Sequence, residues 1–267
     1  MKKGVLLLVL FVWGVGMKPF SFDFGISKLK SLIIAKKVFE NAHSDKKSVA
    51  VGKDIIIRKG AEPTVGAAPK TSYPNFTGAS LKGLDLSGYN FEGAMLQNSN
   101  LNSANISGAN FKYANLRGSF FSKADCEACN MSKTNLSNTN FWKANMQNVN
   151  MTGAILDGSF FWEVNLSKSI LYPVSALGAQ FHRAFLYEVD ARGANFQGAI
   201  FKNAFLWLAN LEQADLRGAN LCMADLQNAK ISGAKLKGAL VCKNTIWIDG
   251  EPMTEKLANK KNMVWVS

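Results

Sequence analysis

From Ala204 to Leu226 the chain reads AFLWL ANLEQ ADLRG ANLCM ADL. Leucine returns at every fifth place: Leu206, Leu211, Leu216, Leu221 and Leu226. A helix needs an apolar period near 3.6 residues and a strand a period of 2, so neither describes this stretch. Followed outward, the fifth residue stays apolar from Phe76 to Ile246, thirty-five times in succession and without a slip of phase. A fixed short period held this long marks a repeat architecture, and the repeat decides the fold before any local argument.

Each unit has an internal order. The apolar residue is its centre. The residue two places earlier is small, and is alanine in twenty of the thirty-five units. Between them stands asparagine or aspartate, again in twenty of thirty-five. Centre and minus-two residues alternate with a polar one, as in a short strand with two side chains facing in. The two residues after the centre must then turn the chain. Glycine is frequent there (Gly108, Gly118, Gly153, Gly218) and gives the positive φ that such a corner needs. Each unit is thus one side and one corner, and a chain that keeps turning becomes a coil. Phe121, Phe141, Phe161, Phe181 and Phe201 lie twenty apart without a break. That favours four sides per turn over three.

With these units the chain resembles the pentapeptide-repeat family. The resemblance covers residues 74–246 and implies an all-β fold, a right-handed quadrilateral β-helix whose centre and minus-two side chains fill a narrow interior. Thirty-five units make just under nine coils. Stacked strands lie about 4.8 Å apart, so the rod would be about 40 Å long, stabilised by nearest-neighbour stacking. Leu84 and Tyr89 are large for minus-two places and suit a flared first coil under a cap. A second irregular zone, residues 170–191 with Pro173, Ala176 and Ala191, is where a bend would fall.

The ends do not repeat. Residues 1–16 read as a signal peptide: Lys2 and Lys3, then an apolar run from Val5 to Val15. The run is short for a membrane-spanning helix. It points to an exported protein of the periplasm, the cell envelope or the medium. Residues 17–73 form a basic N-terminal cap and linker, with a short helix expected over 27–41, a strand over 54–58 and linker over 61–74. Residues 247–267 would cap the other end. The chain carries 31 Lys and Arg against 19 Asp and Glu. Residues 1–75 hold thirteen against five, the repeat region fifteen against eleven, and the tail three against three. The basic segment suits peripheral contact with an anionic membrane or polysaccharide.

No catalytic, cofactor-binding or metal site is read from the sequence. It has two histidines, His43 and His182, and no nucleophile motif or phosphate loop. Cys126 and Cys129 take inward places. Cys222 and Cys242 each follow a centre and lie twenty apart. They would stack outward near the strand spacing, slightly long for an unstrained disulfide, which an exported protein could still form.

One feature exceeds the consensus. Outward places on the second side carry Phe120, Trp142, Phe160 and Trp162, followed by His182. The adjoining third side carries Phe185, Tyr187, Phe205 and Trp207. Stacked at a period of twenty, they would make a continuous apolar patch across two faces. Such patches mark interfaces, or here a seat for residues 17–73. The reading is a non-enzymatic scaffold presenting a surface to a protein partner. Some members of the family mimic duplex DNA and bind topoisomerases. That role needs an acidic surface, whereas this repeat region is net positive; a nucleic-acid partner is not expected. The sequence leaves the partner's identity and the oligomeric state open.

Overall fold

The computed structural model describes residues 48–50, 56–58 and 73–267. The signal-like start, the helix expected over 27–41 and nearly all of the linker lie outside the described residues. Strand β1 (Ser48–Ala50) pairs antiparallel with β2 (Ile56–Arg58), which is the last part of the strand expected over 54–58.

From residue 75 onward the chain is a stack of coils. Parallel bridges join residues twenty apart, from Asn75 with Met95 to Asn220 with Leu240. The pairing explains why the unit has five residues. The centre N–H donates to the next coil, as Leu101 N does to Phe120 O at 2.7 Å. The minus-one N–H donates to the previous coil, as Asn100 N does to Ala79 O at 2.8 Å. The second corner residue donates forward again, Ser103 N to Ser122 O at 2.9 Å, and Ala104 N closes the turn on Leu101 O at 3.1 Å. That second corner residue is left-handed, with φ 56° at Ser103 and 64° at Gly108. Positive φ at the third residue of a four-residue turn is the requirement of type II geometry.

One N–H per unit is left over, that of the first corner residue. The minus-one asparagine or aspartate takes it: Asn100 Oδ1 accepts from Asn102 N at 3.0 Å, and Asn140 Oδ1 from Trp142 N at 2.9 Å. This Asx turn is the physical reason for the Asn/Asp consensus. It also pins the corner, where residues such as Ser103 and Lys143 take the left-handed place as well as glycine. Asn140→Ala therefore lowers stability by about 1 kcal/mol, read from urea unfolding. Asn140→Asp, which keeps the acceptor, costs much less; equal losses would contradict this role.

The interior is one column of buried side chains. Phe121, Phe141, Phe161, Phe181 and Phe201 stack with ring centroids 4.8–4.9 Å apart. Cys126 and Cys129 are buried within it. Where serine or threonine replaces alanine at minus-two, the buried hydroxyl donates to a carbonyl twenty-three residues earlier, as Ser159 Oγ does to Leu136 O at 2.6 Å. The pairing continues through the irregular zone: Ile155 bridges Ser175, which bridges Asn195.

The phase does slip once, near the end. Ile246, expected as the last inward centre, is not one. Asp225 bridges Ile246 rather than residue 245, while Thr245 and Trp247 are buried. Thr245 Oγ1 reaches back twenty-four residues to Leu221 O, at 3.1 Å, where its counterparts reach back twenty-three. The corner after Val241 thus has three residues, 242–244, in place of two. Beyond it, helix α1 (Glu255–Lys260) is capped by Thr254, whose hydroxyl accepts from Leu257 N. Strand β4 (Val264–Val266) pairs parallel with β3 (Leu240–Cys242). Met253, Ala258 and Met263 join the rod's core cluster.

Candidate interaction surface

The coil turns each unit into fixed columns of outward side chains. On the second side the minus-one column holds Phe120, Asn140, Phe160 and Gln180, and the first-corner column Trp142, Trp162, His182 and Lys202. The columns are aligned: Lys123 N donates to Trp142 O, Lys143 N to Trp162 O and Glu163 N to His182 O. All eight aromatic residues named from the sequence stand exposed. Asn140, Trp142, Phe160 and Trp162 line a groove of about 340 Å³. Lys143 Nζ and Lys123 Nζ lie 4.8 and 5.4 Å from the Trp142 ring centre, within cation–π range. Trp162 Nε1 donates to Gln180 Oε1 at 3.1 Å, and its ring lies 5.1 Å from His182. On the third side Phe185 and Phe205 stack at 5.1 Å, 9° from parallel.

The two faces do not form the continuous apolar patch expected of them. Between them runs the corner column Lys143, Glu163, Arg183 and Asn203, with Lys143 and Glu163 paired at 3.3 Å. All four have positive φ, between 52° and 59°, a conformation hostile to bulky and β-branched side chains. The surface is two aromatic strips with a charged ridge between. Leu208 is exposed at the far corner of the third side, and Met223 at the end of the ridge column. Ile155, Ile170, Tyr172 and Leu177 are exposed on the remaining sides. A search of outward places for every apolar residue, not aromatics alone, finds them in the sequence.

Aromatic residues at minus-one places have a backbone consequence. Phe160, Phe185 and Phe205 cannot accept the spare corner N–H. The backbone N–H groups of Trp162, Tyr187 and Trp207 find no acceptor among the described residues. The strips therefore offer hydrogen-bond donors beside their rings.

His182 lies at the foot of the Trp column. Its Nδ1 is buried without a hydrogen-bond partner among the described residues. Burial, and then the Lys202 ammonium, hold its pKa below the ordinary histidine value. The unfolded chain takes up the proton first, so stability falls as pH drops through the ordinary histidine range. NMR titration should show a lowered pKa that rises in Lys202→Gln; an unshifted imidazole would exclude this environment.

Cys222 and Cys242 are free thiols; Cys222, expected outward, is buried, and Cys242 is half-buried. No cluster of metal-ligating side chains exists among the described residues, and none of their helices is long and apolar enough to cross a membrane.

A sequence model of pentapeptide repeats matches residues 75–112, 109–147, 144–172, 178–207 and 208–240, with eight copies. The gap at 173–177 contains Pro173, which cannot take the left-handed corner place. Among solved structures, HetL, a pentapeptide repeat protein involved in heterocyst differentiation regulation in the cyanobacterium Nostoc sp. strain PCC 7120, is 22% identical. The match covers 68% of this chain and 92% of HetL, with a TM-score of 0.34. A pentapeptide repeat protein of the Arabidopsis thaliana thylakoid lumen is 33% identical over 38% of this chain and 66% of its own, with a TM-score of 0.34. A trypsin-treated form of QnrB1, a plasmid-mediated fluoroquinolone resistance protein, is 18% identical over 71% and 94%, with a TM-score of 0.42. A comparison with curated proteins returns no match.

Proposed function

Because this chain belongs to the pentapeptide-repeat family, whose fold is a right-handed β-helix, we propose that it is an exported, non-enzymatic rod presenting a protein-binding surface. The twenty-residue pairing supports a four-sided coil of about nine turns. Family members are generally structural or binding proteins rather than enzymes. Export rests on the signal-like residues 1–16.

One observation carries the binding role. Phe160, Phe185 and Phe205 stand where the repeat otherwise places asparagine, and each gives up the Asx bond that pins its corner. The result is exposed aromatic side chains beside unpaired N–H donors. Trp and Tyr are typical interface anchors, and the donors need acceptors that a polypeptide partner supplies through its carbonyl groups. Co-purification from the native cell fraction, with the rod carrying Ser at positions 162, 187 and 207 as the comparison, tests the assignment. Equal capture by both forms would refute it.

A further inference from the structure

The corner at 242–244 has three residues in place of the repeat's two, and it encloses a thiol. Cys242 follows the Val241 centre and stacks on Cys222, the bridge between Asn220 and Leu240 fixing the register. The extra residue brings Thr245 round beside it. Cys242 N donates to Thr245 Oγ1 at 3.1 Å, and that hydroxyl lies 3.7 Å from Cys242 Sγ. Cys222, Asn244 and Met223 also adjoin this thiol and favour its charged form. Cys242 is half-buried and Cys222 buried, so Cys242 is the more accessible thiol of the stacked pair.

We propose that Cys242 is a nucleophilic thiol site for low-molecular-weight disulfides of the glutathione class, with Cys222 as its resolving partner. Burial raises the Cys242 pKa, but the polar groups of Cys222, Thr245, Asn244 and Met223 around it outweigh this and leave the thiol below its ordinary value. Cys222 is pushed up to about 12, by burial first and then by its bond to Cys242. The two thiols are thus set apart as attacker and donor.

The reaction balances as thiol–disulfide exchange. The Cys242 thiolate attacks one sulfur of the small disulfide; that S–S bond breaks and one small thiolate leaves. The mixed disulfide no longer carries charge at Cys242, which removes one of the causes that raise Cys222. Cys222 gives its proton to the departing thiolate and attacks the Cys242 sulfur, displacing the second small thiolate. Two protein thiols are oxidised and one small disulfide is reduced to two thiols. Stacked strands place Cα atoms about 4.8 Å apart, which is inside the Cα range of disulfides and not too long for one, contrary to the expectation from sequence. The bond would lock the last corner under β4.

The test uses the reduced full-length protein, oxidised glutathione, acid quenching and peptide mass spectrometry. The expected product is a Cys222–Cys242 disulfide. Cys222→Ser should stop at glutathione on Cys242, and Cys242→Ser should slow modification of position 222 at least about tenfold. Cys126 and Cys129, inside the rod, should stay unmodified. In the unmutated protein, iodoacetamide should label Cys242 before Cys222. Labelling in the reverse order, or Cys222 reacting equally fast in Cys242→Ser, would overturn the proposal.

Discussion

Phe161→Ala lowers the unfolding free energy by about 3–5 kcal/mol, while Trp162→Ser, one residue away, changes it by less than about 1 kcal/mol. Phe161 is 0% exposed and Trp162 45%. The Phe161 ring stacks at 4.9 Å on Phe141 and at 4.9 Å on Phe181. Its removal exposes both neighbours to a void, and the void cannot collapse easily. The coil walls are held by hydrogen bonds above and below, so the backbone cannot move in without breaking them. A solenoid has only nearest-neighbour contacts, so the loss at one coil also uncouples the two halves of the rod. Urea unfolding followed by far-UV circular dichroism reads the effect. If the two substitutions cost the same, the interior and exterior have been misassigned.

Changing Trp162, Tyr187 and Trp207 together to serine weakens partner capture at least about 100-fold. A single aromatic anchor is commonly worth about 2 kcal/mol, or some 30-fold, and anchors in one interface do not add fully. The three span both strips, so a partner using either one loses an anchor. Tyr113 and Tyr172 provide the control. Both are exposed, but they stand on the fourth side, with Lys112 and Lys133 near one ring and Arg192 near the other. Serine at these two positions should leave capture intact. If both sets of changes reduce capture alike, the rod is merely adhesive and the strips have no special role. Circular dichroism of each variant guards against unfolding, which outward substitutions should not cause.

Much of this molecule is legible from composition by position. The period of five separates inward from outward side chains, and the run of phenylalanines twenty apart gives the stacking register. The aromatic columns follow from the same count. The role of asparagine is less visible. Its frequency is plain, but that it accepts the one spare N–H of each unit becomes clear only when the other four hydrogen-bonding roles have been assigned.

Side-chain direction was decided by the sequence itself, because it depends on backbone alternation within a few residues, and that alternation is written into every unit. Corner length and cross-coil contact were decided only in three dimensions. Ile246 keeps the apolar period, yet the chain inserts a residue and buries Thr245 and Trp247 instead, since the last coil must fit the helix and strand that follow it. The charged ridge between the aromatic strips, and the stacking of Cys242 on Cys222, arise in the same way. They depend on which residues of separate turns meet at a corner, a relation that exists only once the coils are stacked.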